Sequence, residues 1–424
     1  MALPRYSTPT AAGPEPFDSR RDTAYNRAVQ PLRALPPRAR HAFVHDLAGA
    51  VLFGLFSGTV LPFASVVARR LGAEPLWISW LASAPALGFF LTAGWAASLA
   101  ARNPVALVVW PSVAARGLFL LAPFAQSAHA LVLLVVAYHM VQGLTVPAYA
   151  EAVGRLFPAD VRGRLVGTVR VGLSLAAIVA SLVAGPAIGR FGHGPVFAAA
   201  GLVGVAGALV FSRVRLPRTP RGPFPPPVAW WTALRDPSFR SLAVCTFVFG
   251  FGGWMMAPAV PLLLVDVLRA TPAQVGVLSA VAALASVVGF HVWGRAVDRR
   301  SGVETVRLIL VAALLTPVLY FLAPSPWFAA LAFASDGFFV AGLDLAWMAA
   351  CLELAPPGRV GAYVAAYTML LGLRGVTAPF VAGALASALG PRPVFLAAAA
   401  LVAASGVLAS RALRRDRLVT AQPD

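Results

Sequence analysis

The chain has 424 residues, of which 59% are hydrophobic and only 12% are charged. A soluble domain carries about 25% charged residues, so this composition excludes a soluble globular protein and indicates one embedded in lipid. The formal net charge of +18 would fit nucleic-acid binding only in a soluble chain. In a membrane protein the same excess of basic residues marks the loops on one side. We therefore expect a lipid bilayer as partner and no nucleic acid.

Twelve apolar stretches follow one another along the chain, and each is long enough to cross a bilayer, which takes about 20 residues. Because backbone polar groups in hydrocarbon must be satisfied internally, each stretch is predicted to be a helix. We refer to them as spans one to twelve. They lie near 44–67, 75–99, 104–124, 128–152, 164–188, 193–213, 240–267, 274–297, 303–323, 326–352, 361–387 and 392–412.

An internal repeat relates the two halves of the chain. Residues of 158–197 recur, without a gap, 198 positions later in 356–395. A repeat of this length indicates that one half copies the structure of the other. We therefore predict an all-α integral membrane protein of two pseudo-symmetric six-helix bundles. The recurring residues of the first copy are Pro158, Gly163, Val183, Ala184, Gly185, Gly192, Pro195, Val196 and Phe197.

Arginine positions and a proline run predict the domain boundaries and the orientation. Seven arginines lie up to Arg40, six from Arg213 through Arg240 and four after Ser410, which places both termini on the cytoplasmic side. A run of three prolines at 225–227, which a helix interior does not tolerate, marks the connection between the halves. The predicted parts are a disordered tail 1–41, a bundle 42–213, a linker 214–239 with a short interfacial helix, a bundle 240–412 and a tail 413–424.

The loop between spans eight and nine carries the first of three motifs. Residues 294–302 read Gly-Arg-Ala-Val-Asp-Arg-Arg-Ser-Gly, which resembles the loop signature G-x-x-x-D-R-x-x-G of the major facilitator superfamily of secondary transporters. With twelve spans as six plus six, the resemblance implies that fold and a cytoplasmic gate. The gate residues are expected to be Gly294, Asp298, Arg299, Arg162 and Arg164. The matching loop of the first half has Gly94, but Ser98 and Leu99 stand where the signature has aspartate and arginine.

Two further motifs resemble those of proton-coupled drug antiporters of the same superfamily. In span four, residues 139–143 are similar to the motif R-x-x-Q-G. His139 stands in place of the arginine, and Gln142 matches the glutamine. Span five is similar to the glycine-rich antiporter signature, with Ser181 and Arg190 replacing two glycines. Its matching residues are Gly172, Gly185, Pro186 and Gly189. Both matches are partial, and the resemblance implies efflux coupled to protons.

Ionisable residues within the spans are functional candidates, because burying a charge in the bilayer is costly. They are Arg116, His139, Arg170, Asp336, Asp344 and Arg374. From the helix rise we expect Asp336 near mid-membrane and Arg374 at a depth between the two aspartates. We predict an ion pair between Arg374 and one of them, as a fixed brace or as a switch. Trp254 and Trp347 are expected to line a central cavity with Tyr138, Phe338 and Phe339 if the family arrangement holds, or else to fill helix packing.

His139 has two interpretations. Its ordinary titration range makes it a plausible proton carrier. Alternatively it is a neutral side chain hydrogen-bonded to a neighbouring helix.

The sequence therefore predicts a secondary transporter that carries a small organic solute by alternating access, with protons coupled to efflux. Proton-coupled uptake of a sugar or metabolite stays open, and a membrane enzyme or a non-transporting sensor is the alternative of another class. Asp336, Asp344 and Glu353 are strung out along one helix rather than clustered, and Cys245 and Cys351 match no metal spacing. We expect no enzyme activity, metal or cofactor, and a monomer in a bacterial-type cytoplasmic membrane.

Overall fold

The computed structural model describes residues 35–99, 103–216, 230–356 and 359–420, and all regular elements in these ranges are helices. Most of the predicted N-terminal tail and half of the predicted linker lie outside these residues. The bounds of the α-helices are Pro37–Arg70, Pro75–Leu99, Pro104–Gly117, Ala128–Gly143, Thr145–Leu156, Ala159–Phe191, His193–Phe211, Pro237–Leu262, Pro272–Arg299, Gly302–Ala312, Leu315–Leu322, Pro326–Leu354, Val360–Leu389 and Pro391–Thr420.

These helices follow the order of the predicted spans. Span three continues as a 3-10 helix, Leu118–Phe124, and span seven ends in a π-helical turn, Leu263–Val267. Spans four and nine each consist of two shorter helices. Within the described residues, eleven helices or helix pairs are long and apolar enough to cross a membrane, and Pro75–Leu99 occupies the position of span two. The all-helical membrane fold predicted from the sequence is confirmed.

The repeat seen in the sequence extends to how the helices begin and end. Ser127 caps span four by accepting a hydrogen bond from the amide of Ala130 (3.2 Å), and Ser325, 198 positions later, caps span ten through Phe328 (3.3 Å). Gly192 and Gly390, at the same offset, end spans five and eleven with φ of 80° and 84°. A side chain at such a φ is strained, so both copies need glycine there.

A 3-10 helix at Trp230–Arg235 lies where the short interfacial helix is predicted. Trp231 is exposed and Ala233 is buried, as expected for an amphipathic segment at a membrane surface. Tyr363 at the start of span eleven donates a hydrogen bond to Asp236 (2.8 Å), which follows this helix. The end of the linker is therefore fixed to the second half.

The hydrophobic core differs between the two ends of the bundle. We call the end where odd-numbered spans begin the terminal end, and the opposite end the distal end. Toward the distal end one cluster contains buried residues of both halves, such as Phe63 and Leu262. Toward the terminal end there are two separate clusters, one within each half, around Phe43 and Phe239. The halves are thus packed together distally.

Polar contacts join the halves at the distal end as well. Arg69 forms an ion pair with Asp266 (2.9 Å). Ser79 donates a hydrogen bond from span two to the carbonyl of Pro379 in span eleven (2.7 Å). Span five meets span eight so closely that a Cβ on Gly185 would lie 2.5 Å from the carbonyl oxygen of Pro272. Two helices can approach this closely only where one of them has a residue without a side chain.

We predict that Gly185→Val weakens the distal seal. The added side chain collides with Pro272, and overpacking of this kind costs about 1–3 kcal/mol. A cost of this size shifts the equilibrium between the distally closed and distally open states about tenfold toward the open state. A cysteine at Ser79, which is fully buried in the seal, then becomes more reactive. The measurement is its labelling rate with a polar maleimide in nanodiscs, after replacement of Cys245 and Cys351 by alanine.

Gly189→Val is the matched control, because a Cβ at Gly189, one helical turn further along, meets no atom within 4 Å. Labelling is expected to stay at the starting rate in this variant. Equal labelling rates in the two variants would show that Gly185 has no part in the seal.

Candidate functional site

A cavity of about 340 Å³ lies within the second half, between spans seven, nine, ten and eleven. Its walls are mainly apolar and aromatic and include Phe249, Trp254, Tyr320, Phe339 and Tyr367. Cavities of this size, with an apolar wall and a few polar groups, are typical of sites for small organic molecules.

Two carboxylates and one guanidinium, from Asp336, Asp344 and Arg374, also line this cavity. Asp336 is partly exposed, and Asp344 is exposed. The offset of eight positions from Asp336 to Asp344 corresponds to about 12 Å along span ten. The sequence predicted that these three residues share one region of the membrane, and the structure brings them to one cavity.

The predicted ion pair between Arg374 and an aspartate is wrong for this structure. Ion pairs join Arg69 to Asp266 and Arg155 to Glu151, whereas Arg374 forms none with Asp336 or Asp344. Arg374 instead donates to the backbone carbonyl of Thr246 in span seven. Its second terminal nitrogen lies 3.4 Å from the hydroxyl of Tyr367. Its Nε is buried and has no hydrogen-bond partner in the part of the chain that the structure describes.

The reason for this orientation is the missing side chain of Gly250. A Cβ at that position would lie 2.5 Å from Arg374 Nε, so the guanidinium occupies the space that any other residue would fill. Arg374 is 3% exposed. It is therefore held against span seven, although it lines the same cavity as the span-ten aspartates.

Arg116 is placed in the same way within the first half. It is buried, donates to the carbonyl of Gly204 in span six (2.9 Å) and lies 4.4 Å from the centre of the Phe53 ring. A Cβ at Gly204 would lie 3.0 Å from the Arg116 side chain. Both arginines thus brace two helices of one half through a backbone carbonyl, which satisfies part of a charge that would otherwise be isolated.

Arg170 and Asp344 face each other across the two halves. Both side chains are exposed, and Arg170 interacts electrostatically with Asp344 of span ten and with Tyr149 of its own half. Tyr149 also donates to the buried carboxylate of Asp46 (3.1 Å). Opposite charges that face each other without direct contact can pair when the halves approach.

His139 and Gln142 lie in span four, away from the charged cavity. The backbone of His139 approaches Gly88 of span two, and its ring lies 4.8 Å from that of Tyr138. The ring forms no hydrogen bond with any described residue, which contradicts the hydrogen-bonded alternative. Gln142 donates to Thr145 (2.9 Å), and its Oε1 is buried without a partner. Tyr138 is buried among Phe56 and Phe119, which is a packing role.

The residues of the expected gate lie apart at the terminal end. Asp298 and Arg299 are exposed and have no polar partner in the described part of the chain. Arg162 donates to the carbonyls of Gly154 and Phe157, which end span four. Gly294 has only a distant neighbour, Leu345, in its Cβ direction. Arg164 has a polar contact of its own, so no gate interaction is assigned to it.

The span-five motif is divided between two contacts. Gly172 lies against Leu47 of span one within the first half, whereas Gly185 lies against the second half. Pro186 is exposed, and Gly189 has open space around it.

Of the predicted cavity aromatics, Trp254 and Phe339 line the cavity. Trp347 is buried and stacks on Tyr367 (3.9 Å), while Phe338 packs against Trp293 (5.4 Å).

The sequence interpretation missed four residues at this site, Tyr320, Tyr367, Thr246 and Gly250. Tyr367 lies seven residues before Arg374, which is two helical turns and the same face, so spacing could have suggested it. The partners in span seven carry no such signal. No group of three or more His, Cys, Asp or Glu side chains that could hold a metal occurs among the described residues.

We predict that Gly250→Ala destabilises the protein through Arg374. The added methyl group competes with the guanidinium, at a cost of about 1–3 kcal/mol, and lowers the temperature of thermal inactivation in detergent. Gly253→Ala, on the same helix and lining the same cavity, meets no atom within 4 Å and is expected to be neutral. In an Arg374→Ala background the cost of Gly250→Ala should vanish, and an unchanged cost would exclude this explanation.

Comparisons with known proteins agree with this architecture. The sequence matches the profile of the Major Facilitator Superfamily over residues 47–240 and 242–424. No curated protein sequence matches the chain significantly.

Solved structures share the fold at low sequence identity. A nucleoside transporter, NupG (D323A mutant), has a TM-score of 0.74 and 11% identity, with 88% of this chain and 99% of that chain covered. A bacterial homologue of the human lysosomal transporter Spinster, in an inward-facing and occupied conformation, has a TM-score of 0.68 and 16% identity, with 90% and 98% covered. The family match over nearly the whole chain and these shared folds lead to one conclusion: the chain belongs to the Major Facilitator Superfamily of membrane transporters.

Proposed function

We propose that this protein is a secondary transporter that exchanges protons for a small organic solute and exports the solute by alternating access. The observation that carries the proposal is Asp336, a carboxylate that lines an aromatic cavity and has no hydrogen-bond partner among the described residues. A group of this kind in the membrane is a candidate for proton binding.

Packing of the halves supports the alternating-access part. The distal end is sealed by the shared hydrophobic cluster and by Arg69 and Asp266. In the opposite state, the terminal end closes. Arg170 then approaches Asp344, and Asp298 with Arg299, Arg162, Arg164 and the turn at Gly294 forms the gate. The rocking bodies are residues 42–213 and 240–412, connected by 214–239 and flanked by the tails 1–41 and 413–424.

The arginine distribution supports a cytoplasmic location of the terminal end. The sealed distal end then faces outward, and the structure is the inward-facing state. We propose a monomer in the cytoplasmic membrane of a bacterial-type cell, since each chain contains both halves and its own cavity.

Export is favoured by the resemblance of span five to the antiporter signature, which Gly172, Gly185, Pro186 and Gly189 match. Uptake of a sugar or another metabolite is the second candidate. It is favoured by His139, which stands where the span-four motif of antiporters has arginine. One of the similar structures is that of a nucleoside transporter, so nucleosides belong among the solutes tested.

We predict that Asp336→Asn abolishes solute-driven proton movement. Proteoliposomes loaded with a pH-sensitive dye at acidic pH are exposed to a library of organic cations, sugars and nucleosides. With at least one solute, the wild-type protein should move protons out of the lumen and raise its pH. This coupling requires the Asp336 carboxyl group to bind a proton on one side of the membrane and release it on the other, which the amide of asparagine does not do. Glu304→Gln, which changes an exposed acid at the start of span nine, should behave as wild type.

Three results of the same assay would contradict these expectations. Solute flux without any proton movement, or equal proton movement in Asp336→Asn, would contradict the coupling. An inert wild-type protein across the whole library would contradict transport of these solute classes.

We also predict that His139→Ala transports without proton coupling or fails to transport. His139 is partly exposed and its ring has no hydrogen-bond partner among the described residues, so we expect it to exchange protons with water. The measurement is initial solute flux against external pH. An unchanged pH profile would exclude His139 as a proton carrier.

A further inference from the structure

Another cavity, of about 610 Å³, lies at the terminal end of the second half. One of its walls comes from the end of the linker and includes Thr232, Arg235 and Asp236. The other comes from the connection before span eleven and from the first turn of that span, with Arg359 and Tyr363. This cavity shares no lining residue with the central one, so we treat it as a separate site and call it the linker cavity.

The short 3-10 helix Trp230–Arg235 places the linker cavity at the membrane surface. Residues three apart in a 3-10 helix lie on one face, and Thr232 and Arg235 both line the cavity. Ala233 is buried against the second half, whereas Trp231 is exposed. Exposed tryptophans of membrane proteins are enriched at the level of the lipid headgroups. The linker cavity therefore lies at headgroup depth.

Two guanidinium groups, those of Arg235 and Arg359, reach the linker cavity from distant segments of the chain. Both residues are exposed. Within the described ranges neither guanidinium forms a hydrogen bond or an ion pair. Two like charges on one cavity favour a bound anion, because an anion attracts both of them. The first turn of span eleven also lines the cavity, and the start of a helix favours negative charge as well.

The carboxylate of Asp236 is engaged elsewhere and does not pair with either arginine. One of its oxygens caps span seven by accepting hydrogen bonds from the amides of Ser238 (2.9 Å) and Phe239 (3.4 Å). The other accepts a hydrogen bond from the hydroxyl of Tyr363 (2.8 Å). Asp236 thus joins the two walls of the linker cavity. With one carboxylate against two guanidinium groups, the cavity keeps an excess of positive charge.

We propose that the linker cavity binds the phosphate of an anionic phospholipid headgroup through Arg235 and Arg359. Guanidinium groups bind phosphate through paired, charge-assisted hydrogen bonds. Basic pockets on the cytoplasmic side of membrane proteins bind anionic headgroups, which are concentrated in that leaflet, and the arginine distribution supports a cytoplasmic terminal end. The bound headgroup connects the end of the linker to span eleven. This inference goes beyond the proposed function and does not depend on which solute is carried.

The position of the linker cavity favours a lipid over a soluble phosphate. Because Trp231 marks the cavity as lying at headgroup depth, a phospholipid can place its phosphate between the arginines and keep its acyl chains in the bilayer. A phosphate anchored in this way is already near the site and has a high effective concentration there. A soluble phosphate gains the same ionic contacts but has to be concentrated from water.

The test counts the lipids bound to the purified full-length chain by native mass spectrometry in a mild detergent. The probes are phosphatidylglycerol and phosphatidylcholine with identical acyl chains, and inorganic phosphate. We expect one phosphatidylglycerol to bind about tenfold more tightly than phosphatidylcholine, because the arginines act on its net negative charge. Phosphatidylglycerol, and not phosphatidylcholine, should also raise the temperature of thermal inactivation.

Paired substitutions locate the site. In Arg235→Gln/Arg359→Gln the affinity for phosphatidylglycerol should fall about tenfold, to that for phosphatidylcholine. Arg235→Lys/Arg359→Lys keeps both charges and should keep most of the preference. The matched control is Arg213→Gln/Arg215→Gln, which removes two exposed arginines from the other end of the linker region. Neither of these lines the linker cavity, so the preference should stay at the wild-type value.

Photocrosslinking of the wild-type protein makes the test independent of how the variants fold. A phosphatidylglycerol with a photoreactive headgroup is expected to label peptides within 230–240 or 356–363. An excess of unlabelled phosphatidylglycerol should suppress this labelling, and an excess of phosphatidylcholine should not.

Four results would overturn the proposal. They are equal affinity for the two lipids, an unchanged preference in Arg235→Gln/Arg359→Gln, the same loss in the control pair, and crosslinks that lie only outside the two segments. If inorganic phosphate alone stabilises the protein as much as phosphatidylglycerol does, the cavity belongs to a soluble anion and the lipid assignment is wrong.

Discussion

The contact between the two halves at the distal end is the constraint on which the rest of this structure depends. A single hydrophobic cluster crosses from one half to the other there, and the terminal end has two separate clusters instead. The contact is possible because glycines at 185 and 276 allow spans five and eight to approach backbone to backbone. Packed interfaces switch between discrete arrangements and do not deform continuously. While the halves are in contact at the distal end, they therefore stay apart at the terminal end.

Each charge within the membrane is accommodated in one of three ways. Arg116 and Arg374 are bonded to backbone carbonyls and brace helices within one half. Arg170 and Asp344 face each other across the halves and remain exposed. Asp336 has neither arrangement. The first group braces each bundle, the second lies between the bundles, and the third lines the cavity without a partner among the described residues.

The duplication preserves the frame but not the chemistry. Serine caps and left-handed glycines recur 198 positions apart, because they are needed wherever the same turns are made. The carboxylates of the cavity have no such counterparts: 198 positions before Asp336 is Tyr138, which is buried in packing. The first half instead brings Arg170 near Asp344, and its His139 lies away from the cavity. A shared scaffold with different charges in each half gives one asymmetric site.

The sequence alone determined the helical membrane fold, the order of the spans, the duplication and which charged residues lie within the spans. These features depend on local properties, namely hydropathy, caps and residue spacing, which do not change with the packing of the helices. The partner of Arg374 was decided only by tertiary structure. Its carbonyl acceptor lies 128 residues earlier in the chain, and the guanidinium reaches it because Gly250 leaves the necessary space. The sealed end was decided in the same way, since hydropathy and spacing place the spans but do not say at which end the two halves meet.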